Sequence, residues 1–227
     1  ILEGISRKIS KHLDEIGDRL TGLYNRAGFE NLVNRINRKS AAGFIALLNL
    51  RQFSVVNSAY GVDTGDQVLR QLGRIIAADI HGLGVAGRLD GDRFALYVRS
   101  IDDDDVMRLM DTMRDSIQSE TFNAGARQFT VDVDVSLVRM SVDASLADHL
   151  YLAELALDAG RDQGDNGLQI HEASDQLLAV RREQLTMVER IKHALEEDRF
   201  VLYAQRIHSI RGRGDHYEIL VRMLDEN

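Results

Sequence analysis

The run AAGFIALLNL, Ala41 to Leu50, contains no charged residue, and Asn49 is its only strongly polar one. It is far shorter than the roughly 18 residues that a membrane-spanning helix needs. A short apolar run without alternation is instead the mark of a strand buried on both faces. Whatever the chain folds into must therefore cover this strand on two sides. Amphipathic helical patterns are present to do so. From about Asp63 to Asp79, the residues Val68, Leu69, Leu72, Ile75 and Ile76 fall on one face. In DDDDVMRLMDTMRDSIQSE the inward set is Val106, Leu109, Met110, Met113 and Ile117, and the acidic run at its start suits a helix N-terminus.

Other segments read as strands. GRLDGDRFALYV, Gly87 to Val98, places Asp-Gly between two apolar runs and predicts a β-hairpin with an unusually charged tip. FTVDVDVSLV alternates from Phe129 to Leu137 and predicts one half-buried strand. A helix is expected over Ser145 to Asp162 and a short strand at LQIHE. Strands and helices alternate while the hairpin forces antiparallel pairing, which predicts one α+β domain over Asp18–Ala173 with a mixed or antiparallel sheet. Before it, residues 1–17 carry Leu2, Ile5, Ile9, His12 and Ile16 at heptad spacing, the pattern of a stalk helix and a route to a homodimer. After it, residues 174–198 read as a charged helical linker. Residues 199–227 read as two strands joined by RGRGDH, too little for a second domain alone. The chain opens without Met and is expected to be part of something longer.

Composition narrows the chemistry. A net charge of -8 argues against a nucleic-acid or membrane-surface binder. The absence of cysteine removes disulfides, thiolate catalysis and Cys-ligated zinc, and fits a cytoplasmic location. No Walker A, HExxH, nucleophile-elbow or Rossmann glycine pattern is present. What remains is a set of polar residues at strand ends: Asn49, then Asn57 and Asp66 around YGVDTGD, then Asp90, Asp92 and Arg93 on the hairpin. If the first strand neighbours the hairpin, Asn49 and Asp92 converge into an oxygen-rich place suited to Mg²⁺ with phosphates. Ordinary turn residues would look the same.

Four ordered motifs separate those readings. DRLTGLYNRAGFE resembles the D-x-L-T-G-L-x-N-R entry of GGDEF domains, the diguanylate cyclases. LLNLRQFSVVNSAYGVDTGDQVL resembles their D-[IL]-D-x-F-K-x-x-N-D-x-x-G-H-x-x-G-D-x-x-L. GRLDGDRFALYV stands where R-x-G-G-D-E-F is expected, and AELALDAGRDQGDNGLQIHE resembles the closing A-D-x-A-L-Y-x-A-K-x-x-G-R-N. Farther on, FVLYAQRIHSI and EILVRM resemble the opening strands of EAL domains, the cyclic di-GMP phosphodiesterases. The resemblance implies a palm-like domain with a mostly antiparallel sheet wrapped by helices, followed by the start of an EAL barrel. It also implies GTP and Mg²⁺ as ligands, and two facing domains for catalysis.

Residue by residue, the resemblance assigns guanine contacts to Asn57 and Asp66, which are retained, and a phosphate contact to Arg161, which replaces Lys. It assigns the metal to position 49, to the Leu50 carbonyl and to Asp92; Asn49 replaces the family Asp and weakens that site. The signature Asp90, Gly91, Asp92, Arg93, Phe94 has lost its catalytic Glu to Arg93, and a guanidinium neither ligates Mg²⁺ nor acts as a base. Arg93 is expected to meet phosphate directly. Asp165 reverses a phosphate-binding Arg, and HGLG at His81–Gly84 lacks the product-inhibition R-x-x-D. In the EAL-like part, Glu218 would be a metal ligand, and Gln205 and Arg222 substrate contacts, in a longer protein that meets cyclic di-GMP. These departures imply a degenerate GGDEF domain that regulates a GGDEF–EAL tandem, with GTP or no nucleotide at its site. The alternatives are a weak cyclase making cyclic di-GMP from two GTP, and a ligand-free scaffold for dimerisation and signal transmission.

Overall fold

The computed structural model describes residues 15–37, 43–99, 102–125, 127–163, 168–172, 175–207 and 216–224; for residues 37, 160–163 and 175–185 only the backbone is described. The stalk expected over residues 1–17 therefore lies almost wholly outside the described residues. The chain divides into two units, Ile1–Ser174 and Asp175–Asn227.

The first unit is built on a six-stranded mixed sheet. Its strands are β1 (Tyr24–Asn25), β2 (Gly43–Leu50), β3 (Gly84–Asp90), β4 (Arg93–Arg99), β7 (Val133–Arg139) and β8 (Ile170–Glu172), in the order β1-β3-β4-β2-β7-β8. Pairing is antiparallel across β3, β4, β2 and β7, and parallel at both edges, β1 with β3 and β7 with β8. The helices are α1 (Arg26–Asn37), α2 (Phe53–Tyr60), α3 (Val62–Asp79), α4 (Asp103–Ser119) and α5 (Leu146–Gln163).

The apolar run becomes β2, and all eight of its residues are buried. Its pleat explains why. Phe44, Ala46 and Leu48 face a core shared with Val68, Leu72 and Ile76 of α3 and with Val106, Met110 and Met113 of α4. Ile45 and Leu47 face a second core with Phe29 and Val33 of α1 and with Leu146, Leu150 and Ala153 of α5. Two helical layers sandwich one sheet, so a central strand has no solvent face to mark with polar residues.

Two expectations are corrected. Phe129–Leu137 is not one half-buried strand. It splits into β6 (Arg127–Phe129), which pairs with β5 (Phe122–Ala124) in a separate two-stranded sheet, and β7. The part in the main sheet is covered on both sides, since Leu137 belongs to one core and Val138 to the other. The alternation has another cause: Val131 and Val133 enter the core while Asp132 and Asp134 turn to an arginine across the sheet end. Secondly, YGVDTGD is not a turn between Asn57 and Asp66: Asp66 lies in α3, which begins at Val62, and Asn57 in α2, which ends at Tyr60. Helix α2 starts from Gln52, whose left-handed φ of 53° turns the chain sharply out of β2.

The charged helix start behaves as read. Asp102 caps α4 by accepting from the Asp105 N–H at 2.8 Å, and Asp103 pairs with Arg139. No helix among the described residues is long and apolar enough to cross a membrane.

The second unit contains α6 (Asp175–Glu196) and an antiparallel hairpin of β9 (Phe200–Ile207) and β10 (His216–Met223). Glu218 sits directly opposite Gln205, and Arg222 lies four residues on, on the same face of β10. All three are exposed. Leu202, Tyr217 and Ile219 are exposed too, a large apolar surface for an isolated two-stranded ribbon.

Candidate functional site

The hairpin tip and the end of β2 meet as expected. Asn49 pairs with Arg93 on one side and with Asp134 on the other, and the Leu50 N–H donates to the Asp92 carbonyl at 3.3 Å. Beyond this sheet end opens a cleft of about 1150 Å³. Its walls include Asn49, Leu50, Arg51, Phe53, Asn57, Tyr60, Gly91, Asp92, Phe129, Asp132 and Asp134. Tyr60 and Phe129 stack with centroids 4.5 Å apart, tying α2 to the small β5–β6 sheet.

Asn49, Leu50, Asn57, Gly91 and Asp92 are therefore brought together. Asp66 is not among the lining residues; it faces along α3 to Arg70 at 3.5 Å. Its neighbour Gly65 packs against Asn57, since a Cβ there would stand 1.9 Å from Asn57 Oδ1. That Oδ1 is buried and has no hydrogen-bond partner in the structure. A buried acceptor of this kind is costly unless something supplies a donor. Arg161 lies on α5 with its side chain outside the described set, and Asp165 is outside it altogether.

The tip itself differs from the sequence reading. The two-residue loop is Gly91–Asp92, with Gly91 at φ +44°, while Asp90 and Arg93 form its closing pair. Arg93 is turned toward the α1/α5 layer. Its Nε donates to Asp90 Oδ1 at 2.7 Å, its Nη2 to Asp90 Oδ2 at 2.6 Å, and its Nη1 to Glu154 on α5 at 3.3 Å. Arg26 on α1 donates to the same Asp90 carboxylate at 2.9 Å. The expected contact of Arg93 with phosphate is thus replaced by a bidentate internal pair. Arg93 chiefly, with Arg26 after burial's opposing push, holds the Asp90 carboxyl below its ordinary range. Arg88 donates to the Gly91 carbonyl at 2.9 and 2.7 Å and pairs with Asp18. Burial pushes the Asp18 carboxyl up, but hydrogen bonds from Thr21 and the Arg88 charge outweigh it and lower the pKa. Phe94 is a core residue, fully buried against the α3/α4 layer.

The sequence reading missed Arg51. Its guanidinium binds Asp134 through Nε and Asp132 through Nη1, the latter at 3.0 Å. Burial opposes its charge, but Asp134 and Asp132 together raise its pKa. The signal was available: Arg51 stands where the D-[IL]-D pattern has its second acid.

The family's Mg²⁺ does not suit this donor set. Asn49 brings no charge, and its Nδ2 donates to the Leu50 carbonyl at 3.0 Å. Asp92 is the one carboxylate left of the expected ligands, and among the described residues no three acidic or histidine side chains gather as a metal site.

Comparison with known proteins places the fold. Residues 16–167 match the family model "Diguanylate cyclase, GGDEF domain". The chain belongs to the GGDEF family and is a domain of cyclic di-GMP signalling. It is 31% identical over 90% of its length to the cyclic di-GMP phosphodiesterase NbdA of Pseudomonas aeruginosa, covering 27% of that protein. It is 24% identical over 91% of its length to the phosphodiesterase PdeB of Shewanella oneidensis, covering 24% of it. The chain thus spans about a quarter of these relatives. In fold it is similar to the S helix-GGDEF-EAL structure of Vibrio cholerae LapD bound to c-di-GMP, with a TM-score of 0.68 at 16% identity; the match covers 100% of this chain and 53% of that one.

Proposed function

We propose that this chain is a regulatory GGDEF domain without cyclase chemistry, working beside an EAL domain in a longer protein. One observation carries the reading: the signature position of the catalytic carboxylate holds Arg93, locked in two hydrogen bonds to Asp90. A cyclase needs a proton acceptor for the attacking 3′-hydroxyl, and a guanidinium paired this way cannot accept a proton. The guanine-side acceptor Asn57 and the open cleft persist, so a guanine nucleotide, GTP first among them, is the proposed ligand class, with Asp66 and Arg161 as further contacts. Dimerisation through residues 1–17 and hydrolysis of cyclic di-GMP through Glu218, Gln205 and Arg222 are proposed for the longer protein. Its similarity to phosphodiesterases supports that assignment.

The test is chromatography after incubation of the chain with GTP and either Mg²⁺ or Mn²⁺. The expected result is no cyclic di-GMP at high protein concentration. Product that disappears with Asp92→Ala would refute the proposal and favour the weak-cyclase reading. The scaffold reading is supported by the ion pairs that already occupy Arg51 and Arg93. It requires that Asn57→Ala leave regulation of the longer protein unchanged.

A further inference from the structure

We infer that the recess between α3 and β5 is a second ligand site, apart from the cleft, and that it takes a small phosphorylated sugar. One wall is a polar stripe. Gln67, Arg70, Gln71 and Arg74 follow at i, i+3, i+4 and i+7 and so share one face of α3. The facing wall is Glu120, the C-cap of α4, then Thr121, then Phe122 and Asn123 of β5. These residues line a volume of about 310 Å³. That is near the lower end of the roughly 300–1,000 Å³ of small-ligand sites. Phe122 is buried and stacks on Phe129 with ring centroids 5.7 Å apart, which fixes the β5 wall. No residue of this lining also lines the cleft, so the site does not depend on what the cleft binds.

Charge selects the ligand. In a chain of net charge -8 the lining carries two arginines against one carboxylate, Glu120. Neither guanidinium is held by a strong internal pair. Arg74 has no acidic partner among the described residues; its Nη1 donates to Gln71 at 3.4 Å. Arg70 reaches Asp66 through Nη2 alone, at 3.5 Å, too long for a strong bond. One helical turn apart, the two planar forks suit the oxygens of a single phosphate. The rest of the lining suits hydroxyls. Gln67, Gln71 and Asn123 bring amides, Thr121 a hydroxyl, and the Glu120 carboxylate accepts a hydroxyl proton while repelling a second phosphate. A bare phosphate would use only the arginines, whereas a sugar monophosphate uses both walls.

The test is an NMR titration of the isotope-labelled chain with ribose 5-phosphate, read at the backbone amides. The expected result is saturable shifts at Gln67–Arg74 and Glu120–Asn123, half-complete at about 1 mM. Inorganic phosphate and ribose, each supplying half of the contacts, are expected to bind about tenfold more weakly. Arg74→Gln, with its fold checked by circular dichroism, should weaken ribose 5-phosphate about tenfold. Arg108→Gln, which removes an exposed arginine outside this lining, should leave it unchanged. No saturation by about 10 mM overturns the inference. So do shifts confined to the cleft residues, inorganic phosphate binding as tightly as the sugar phosphate, or a folded Arg74→Gln that binds like the native chain.

Discussion

Restoring the family's glutamate at the hairpin tip, Arg93→Glu, should destabilise the first unit instead of repairing it. In the native tip Arg93 makes two bonds of 2.7 and 2.6 Å to Asp90 and one of 3.3 Å to Glu154. Glutamate there would place a carboxylate between two others. Unit charges 4 Å apart interact by about 4 kcal/mol at an effective dielectric of 20. Asp90 and Arg93 are 45% and 38% exposed, so screening cuts each interaction to about 1 kcal/mol. Loss of the bidentate pair and gain of repulsion then total about 2 kcal/mol, which lowers the melting temperature by roughly 4–8 °C in a domain of this size. Asp90→Gly/Arg93→Glu removes the repelling partner and should recover about half of that loss. Thermal unfolding followed by circular dichroism measures both. If Arg93→Glu melts within about 1 °C of the native chain, or if Asp90→Gly adds its own loss without rescue, the tip is not the coupled pair described. Neither variant should make cyclic di-GMP, since position 49 still lacks its carboxylate.

Other perturbations have equally direct outcomes. His149 on α5 is fully buried, its Nδ1–H donating to the Ser145 carbonyl at 2.8 Å and its Nε2 accepting the Ser141 N–H at 3.0 Å. Burial, opposed by Ser145 and Asp148, lowers its pKa, so the neutral ring is the folded form. Its contribution to stability is complete above the unfolded value of about 6.5 and is lost as pH falls below it. Denaturant midpoints across that range should slope downward on acidification, and His149→Gln should flatten the slope. Gly65→Ala drives a methyl toward Asn57 Oδ1, 1.9 Å away, and should cost about 1–3 kcal/mol by urea unfolding while weakening GTP binding. Phe94→Ala opens a cavity beside β2 and should cost about 3–5 kcal/mol in the same assay.

Much of the architecture is legible in the chain because it depends on local pattern. The charge-free run of β2, the apolar faces of α3 and α4, the Asp102 cap and the Gly91 turn each follow from residues within a few positions of one another. The pattern at Phe129–Leu137 misled because alternation reports which residues face solvent, and here the acids face Arg51, at the end of another strand. The meeting of Asn49 with the hairpin was likewise expected from local strand ends. What those groups do was not. Arg93 reaches Glu154 across 61 residues, Arg26 reaches Asp90 across 64, and Arg51 reaches Asp132 and Asp134 across 81 and 83. Sequence alone determined that a guanidinium stands at the signature position and an amide at the metal position. Only the tertiary structure decided that the first is turned away from the cleft and the second toward a backbone carbonyl. Side-chain direction at a sheet end is set by which charges neighbouring strands and helices bring within hydrogen-bond reach, and that is a property of the packing, not of the local chain.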